Sequence, residues 1–184
     1  MTASARGSTR TAVWVVVPVA VVLSLLIVLL ATREPATERA IMFELRGEIA
    51  PLIEGAGLDG VWFDIDDHSN QWVVVNFFST TCVPCIREHP ELVEFEARHA
   101  PLNDVVVVSV AFDDTAANIR AFFDAYGGDW PVISRDTGSI AVAYGVVAVP
   151  ETYLVGPGGV IVEKLVGGVT ADQLDALIVS AGGA

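Results

Sequence analysis

The most constraining feature of the sequence is an apolar run that leads directly into a pair of cysteines. Residues 72–78 (WVVVNFF) are almost continuously apolar, which is typical of a strand covered on both faces of a sheet. Cys82 and Cys85 follow, and they are the only cysteines in the chain. Pro84, between them, suits the first turn of a helix, where no amide donor is needed. The segment therefore predicts a buried strand, a short loop and a helix that begins at the cysteines.

Strand and helix patterns alternate through the remainder of the chain. The predicted strands are 61–65, 72–78, 105–112, 152–155 and 160–166, and the predicted helices are 83–99, 114–126, 137–144 and one that begins at Thr170. The polar stretch 66–70 is predicted to be a loop, and the glycine-rich segment 156–159 predicts a hairpin between the last two strands. This order predicts an α/β fold with a mixed central β-sheet flanked by helices.

The N-terminal region contains a run of twenty uncharged residues, 12–31. As a helix it would extend for about 30 Å, the thickness of the hydrocarbon core of a bilayer. We expect an uncleaved transmembrane anchor, with a cleaved signal peptide as the alternative. Arg6, Arg10 and the free amino terminus precede the run and favour a cytoplasmic N-terminus. The expected order is a cytoplasmic tail at 1–11, the anchor at 12–31, a linker at 32–47 and one domain at 48–184.

The charge of the chain limits its partners and its location. Asp and Glu number 23 against 10 Lys and Arg, which gives a net charge of −13, and all the acids follow the uncharged run. Such a body does not attract nucleic acid, so no nucleic-acid partner is expected. With 53% hydrophobic residues the chain is not intrinsically disordered. We expect a single-pass protein of a bacterial cell membrane, with its acidic domain outside the cytoplasm.

The two cysteines have the arrangement that thiol–disulfide exchange requires. Unpaired amides at a helix N-terminus stabilise a thiolate, which would lower the pKa of Cys82. Cys85, one turn further on, can resolve a mixed disulfide formed on Cys82. Three other interpretations remain open: a structural disulfide, two inert core thiols, and a metal site with His89 as a third ligand. Exchange is the hypothesis that the spacing favours, and it needs no metal and no cofactor.

Two segments carry a family resemblance. Residues 73–92 (VVVNFFSTTCVPCIREHPEL) resemble the active-site segment of thioredoxin-fold proteins, most closely the membrane-anchored extracytoplasmic group typified by TlpA, ResA and CcmG. Residues 145–155 (GVVAVPETYLV), followed by 158–161, resemble the second signature of that group. The resemblance implies a thioredoxin fold, preceded here by one N-terminal transmembrane helix. One departure is Thr81, which stands where the family often has an aromatic residue.

The second signature implies roles for individual residues. Pro150 is expected to be cis and to face the disulfide, with a trans proline ending a loop as the alternative. It would present the backbone of Val149 to an extended substrate peptide. Val83 and Pro84 are expected to contact the same substrate. Glu151 resembles an acid that tunes proton transfer to the second cysteine, and its alternative is a solvated strand-end carboxylate.

The resemblance also implies a function and its partners. It indicates a protein disulfide reductase whose substrates carry cysteine pairs, such as apocytochrome c awaiting haem, with a membrane protein as electron donor. The first alternative is an oxidase that forms disulfides in secreted proteins. The second, from a different class, is a copper chaperone. Copper chaperones of this fold space their cysteines by three residues and use a distal His, and neither feature is present in this sequence.

The charges around the cysteines suggest the direction of exchange. The Val83-Pro84 dipeptide carries no positive charge, and only Arg87 would favour a thiolate. We expect three carboxylates to oppose it, namely those of Glu88, Glu91 and Glu151. A poorly stabilised thiolate makes the couple more reducing. The three histidines, His68, His89 and His99, are expected on the surface or on helix faces rather than in catalysis.

Overall fold

The structure is a computed structural model that describes residues 8–31 and 45–183. The chain divides into two compact units. The first contains helix α1 (Ser8–Ala31), whose side chains are described at 14 and 16–27. Among the residues described, no helix combines the length and hydropathy needed to cross a membrane. The anchor expected at 12–31 stays a prediction, and most of the expected tail and linker lies outside the described residues.

The second unit is a five-stranded sheet with helices on both faces and a small hairpin beside it. Its strands are β1 (Glu54–Ala56), β2 (Trp62–Asp64), β3 (Trp72–Phe78), β4 (Val105–Ala111), β5 (Val132–Ile133), β6 (Glu151–Gly156) and β7 (Val160–Val166). Its helices are α2 (Val83–His99), α3 (Ala116–Tyr126), α4 (Thr137–Ala143), α5 (Ala171–Ser180) and a 3-10 turn at Ile65–His68. The strand order in the large sheet is β5-β4-β3-β6-β7.

The sheet is mixed, as the sequence predicts. Strand β3 pairs with β4 in parallel and with β6 antiparallel, and β6 and β7 form the predicted hairpin. All seven residues of β3 are buried, because helices cover both of its faces. One face packs against Leu92 of α2 and Leu174 of α5, and the other against Tyr144 and Ile53. Burial of each such side chain stabilises the fold by about 1.5–3 kcal/mol.

The differences from the predicted elements are small and local. Helix α2 has the predicted bounds, while β1 and β5 were not predicted because runs of two or three residues give no periodic signal. The polar stretch after β2 is a 3-10 turn rather than an open loop, since the Asp64 carboxylate accepts a hydrogen bond from the amide of Asp66. The amide of Gly47 donates to Ile161, so the packed domain begins before the predicted residue 48.

The topology brings three chain segments to one edge of the sheet. Because β3 and β4 are parallel, with Phe78 opposite Ala111, the loops that follow both strands leave from the same edge. Strand β6 is antiparallel to β3, with Glu151 opposite Phe77, so the segment that precedes β6 reaches this edge as well. The two cysteines, the turn after β4 and the loop before Glu151 therefore meet there.

Candidate active site

Cys82 and Cys85 form a disulfide at the start of α2. Cys82 is the N-cap residue of the helix, and its Sγ accepts a hydrogen bond of 3.2 Å from the amide of Cys85. Cys85 is 3% exposed, whereas Cys82 is only partly buried. An accessible sulfur at the helix N-terminus and a buried sulfur one turn further on are the geometry that exchange through a mixed disulfide needs.

The loop before β6 lies against this pair. The Val149–Pro150 peptide bond is cis, as the resemblance implies. The carbonyl oxygen of Val149 lies 3.5 Å from the Sγ of Cys82. Val83 and Pro84 are exposed beside the disulfide, and Val149 is partly buried. The backbone expected to receive a substrate peptide is therefore adjacent to the accessible sulfur, while the binding roles of these residues stay predictions.

The polar residues 79 and 80, which precede the cysteines, are hydrogen-bonded to Asp114 in the turn after β4. Asp114 accepts hydrogen bonds from the amide of Thr80 (2.7 Å), the hydroxyl of Thr80 (2.6 Å) and the hydroxyl of Ser79 (3.3 Å). Burial raises the pKa of Asp114, but these bonds outweigh it and hold the pKa below its ordinary value. Thr81, which departs from the family pattern, is exposed. Directly after β4, Phe112 exposes 43% of its surface at the same edge.

Glu88 is a buried acid on α2, one turn after Cys85. The sequence alone indicates only a charge near the cysteines. Glu88 is 3% exposed, and its Oε1 accepts hydrogen bonds of 3.2 Å from the side chains of Asn76 and Thr152. Its Oε2 has no hydrogen-bond partner among the described residues. Burial raises the pKa of Glu88 to about 7, against the opposing effect of the Thr152 hydrogen bond.

Helical periodicity was the signal that could have found this residue. The buried positions of α2 are Cys85, Glu88, His89, Leu92 and Phe95. Their spacing is that of one helix face, so an acid and a histidine interrupt an otherwise apolar stripe. Ile86 and Val93 are only partly buried at the margins of this face.

Glu151 is fully buried, which corrects the alternative of a solvated carboxylate. Its Oε1 accepts hydrogen bonds from the amides of Val147 and Ala148, and its Oε2 accepts one from Tyr153 and lies 2.9 Å from Nζ of Lys164. Successive strand residues face opposite sides of a sheet, so Glu151 is on the other face from Thr152 and Glu88. Its contacts brace the loop, and a role in proton transfer to Cys85 stays a prediction.

The contacts of the three acids change the electrostatic argument about the thiolate. The carboxylate of Glu151 is paired with Lys164, and that of Glu88 is desolvated. Glu91 accepts a hydrogen bond from the amide of Ala171 at the start of α5. Each acid is thus engaged by groups other than the cysteines, and the three do not act as a free negative cluster. The absence of a cation or histidine in the Val83-Pro84 dipeptide remains the argument for a reducing couple.

His89 lies in the interior of the domain. His89 is 3% exposed, packs against Phe122, Phe123 and Trp130, and its Nε2–H donates to the carbonyl of Gly127. Burial lowers its pKa, and the bond to Gly127 opposes this effect. Of the two expected placements, surface or helix face, His89 has the second, on the buried face of α2. Within residues 8–31 and 45–183, no group of three or more metal-ligating side chains is found.

Comparisons with known proteins agree with this geometry. Residues 46–164 match the AhpC/TSA family. The thiol-disulfide oxidoreductase ResA of Bacillus thuringiensis (strain Al Hakam) is 29% identical over 129 residues, which cover 70% of this chain and 74% of that protein. The thiol:disulfide interchange protein CycY of Rhizobium leguminosarum bv. viciae is 38% identical over 95 residues, 51% of this chain and 49% of its own.

A solved structure is similar in fold. The thiol:disulfide interchange protein of the thioredoxin family from Chlorobium tepidum TLS superposes with a TM-score of 0.67 at 23% identity, covering 74% of this chain and 97% of that one. This likeness supports the thioredoxin fold. The cysteine pair and the relatives identify a thiol-disulfide oxidoreductase of the ResA and CycY type, and the matched residues show that the chain belongs to the AhpC/TSA family.

Proposed function

We propose that this chain is a membrane-tethered, extracytoplasmic oxidoreductase that reduces disulfides in protein substrates, such as the oxidised cysteine pair of apocytochrome c before haem attachment. The observation that carries the exchange chemistry is the asymmetric pair itself, with Cys82 accessible at the helix N-terminus and Cys85 buried. Electrons come from a membrane donor protein that supplies a dithiol, since each turnover leaves the Cys82–Cys85 pair oxidised.

The proposed reaction proceeds in two exchanges. The Cys82 thiolate attacks one sulfur of the substrate disulfide, forms a mixed disulfide and releases the first substrate thiolate, which takes a proton from solvent. Cys85 then loses its proton and attacks the Sγ of Cys82, which forms the Cys82–Cys85 disulfide and releases the second substrate thiolate. Glu88, one turn from Cys85 with a pKa of about 7, is the buried base that we assign to receive the Cys85 proton near neutral pH.

Exposed apolar residues around the pair support a protein as substrate. Three such residues are Val83, Phe112 and Val147, which expose 55%, 43% and 53% of their surface. All three lie at the edge of the sheet where the cysteines are located. Phe112 provides an aromatic surface where the family position, Thr81, lacks one. Two depressions of about 340 and 430 Å³ lie elsewhere, and neither includes a cysteine in its lining. A surface of this kind suits a polypeptide better than an enclosed small molecule.

The membrane location rests on the sequence. The uncharged run 12–31 has the length of a membrane span, and Arg6 and Arg10 precede it. The acids follow it, which favours a single-pass protein of a bacterial cell membrane with its redox domain outside the cytoplasm. Fractionation of cells that express the full chain, followed by protease treatment of spheroplasts, tests this location. Protection of the redox domain from protease would contradict it.

The reduction potential of the Cys82–Cys85 pair decides the direction of exchange. We would equilibrate the full chain with defined dithiol–disulfide buffers and use Cys85→Ala as the variant that cannot form the pair. A potential near −270 mV, about that of thioredoxin, supports the reductase. A potential near −120 mV, about that of a strong oxidant, replaces it with the oxidase alternative. A pair that does not titrate would overturn exchange and direct attention to Cu(I) binding.

A further inference from the structure

The chain contains a single lysine, Lys164, and the structure leaves its side chain largely but not fully buried. Lys164 lies on β7 with its side chain 11% exposed, and its Nζ is 2.9 Å from Oε2 of the fully buried Glu151. The ammonium also lies 5.2 Å from the centre of the Tyr153 ring. Lysine ordinarily keeps its ammonium in water, and removal of both charges from water is costly. A buried ion pair at this position therefore needs an explanation beyond stability.

The ion pair holds the loop that precedes Pro150 at three points of its backbone. Nζ of Lys164 donates a 3.1 Å hydrogen bond to the carbonyl of Gly145. Oε1 of Glu151 accepts hydrogen bonds from the amides of Val147 (3.0 Å) and Ala148 (3.3 Å). One charged pair thus fixes both the beginning and the middle of the segment that ends at Val149.

Val149, which follows Ala148, is the residue of this loop that faces the disulfide. The carbonyl oxygen of Val149 lies 3.5 Å from the Sγ of Cys82 and directly follows the two amides that Glu151 holds. The hydrogen bonds of Glu151 and Lys164 go to the loop, to Tyr153 and to each other, and none goes to a cysteine. The pair therefore acts on the reaction through the loop backbone.

We propose that the Glu151–Lys164 pair positions extended peptide substrates: it fixes the loop backbone so that Val149 presents its peptide groups beside Cys82. The inference rests on the proposed function, because it concerns how a protein disulfide is held for attack. A substrate that pairs with the loop backbone depends on this placement, since a shift of about 1 Å is enough to misalign hydrogen bonds and reacting atoms. A small disulfide with no peptide backbone does not depend on it.

The test compares two oxidants of the reduced full-length protein. The first is a synthetic peptide of extended sequence with an internal disulfide, and the second is an excess of bis(2-hydroxyethyl) disulfide, an acyclic disulfide with no peptide backbone. For Lys164→Met we expect the rate constant with the peptide to fall about tenfold, because the loop loses one of its anchors. The rate constant with bis(2-hydroxyethyl) disulfide and the reduction potential are expected to stay at their wild-type values. Lys164→Arg, which keeps the charge, is expected to recover most of the peptide rate.

The outcomes separate this inference from the proposed function. Equal losses with both oxidants, or no loss with the peptide, would overturn the positioning role and leave the exchange chemistry standing. A wild-type protein that does not react with excess bis(2-hydroxyethyl) disulfide would instead contradict the proposed function. Should Lys164→Met not fold, judged by circular dichroism, the Glu151→Gln/Lys164→Met variant leaves no unpaired charge and is expected to show the same selective loss with the peptide.

Discussion

Among the described residues, the two most buried carboxylates are those of Glu88 and Glu151. They lie on opposite faces of one sheet and have different hydrogen-bond partners. Glu151 has a cation, a tyrosine hydroxyl and two backbone amides around its two oxygens. Glu88 has neutral groups around it, namely the side chains of Asn76 and Thr152 on one oxygen and the backbone of Val169, and no ion-pair partner is found for it among the described residues. Both side chains are almost fully buried, so the two acids are distinguished by their partners and not by their exposure.

The groups around a buried acid therefore determine what it can do, and its exposed fraction does not. A carboxylate with a full set of donors and a cation beside it is held in place, and it organises the backbone around it. A carboxyl with few donors and no cation gains and loses a proton near neutral pH, as the pKa of Glu88 at about 7 indicates. One acid therefore suits support of a loop, and the other suits proton exchange.

The largest expected effect comes from breaking the charged pair on one side only. Lys164→Met leaves the fully buried Glu151 without its cation, and we expect a loss of about 3–5 kcal/mol in the free energy of unfolding. The measurement is urea denaturation near neutral pH. Glu151→Gln/Lys164→Met, which removes both charges, is expected to regain most of this loss. A double variant as unstable as the single one would show that the lysine acts by packing and not by charge.

A smaller effect is expected from removing the titrating acid. The pKa of Glu88 is about 7 in the folded protein against an ordinary value of 4.5, so the folded state binds the proton more tightly. The stability from this group is complete below pH 4.5 and is lost as the pH rises through 7, which corresponds to about 3 kcal/mol. In Glu88→Gln this loss is expected to disappear.

Urea denaturation at pH 5 and pH 8 checks this expectation. The difference in unfolding free energy between the two pH values is compared for the wild type, for Glu88→Gln and for Glu54→Gln. Glu54 is an exposed strand residue, so its variant is expected to keep the wild-type difference. An unchanged difference in Glu88→Gln would assign the pH dependence to other groups, such as His89 or His99.

The smallest expected effect concerns one hydrogen bond. Thr152→Val removes the hydroxyl that donates to Oε1 of Glu88, and this bond lowers the pKa of Glu88. We expect the pKa to rise further and the protein to lose about 1 kcal/mol of stability at pH 8. Carbon NMR of the glutamate side chains follows the titration. Thr115→Val, which removes the N-cap of α3, is the matched control: it is expected to lower stability without moving this pKa.

Much of the fold could be predicted because the decisive segments are long and regular. Strand β3 and helix α2 have their predicted bounds, since a run with six apolar residues out of seven and an apolar stripe at helical spacing leave few alternatives. The spacing of the cysteines allows their disulfide, and the family resemblance implied the cis Pro150. Short elements such as β5 were not, because they form only by pairing with a neighbour that is distant in the chain.

The polar interior was harder to predict. Glu88 and Lys164 look like ordinary surface charges, and their burial follows from contacts with Thr152 and Gly145, which are far away in sequence. The position of Glu88 on the apolar stripe of α2 was a usable signal. The opposite faces of Glu151 and Thr152 follow from strand alternation, but the identity of the buried face requires knowledge of which helix covers it.

The single lysine of the chain can be used to measure how often the structure around it opens. A reagent that acylates amines finds in this chain only the terminal amine and Lys164, whose Nζ is held between Glu151 and Gly145. Acylation of Lys164 therefore requires the local structure to open, and its rate measures how often the segment beside the disulfide detaches from the body. Mass spectrometry of one peptide then follows this opening in the unmodified protein, without any engineered label.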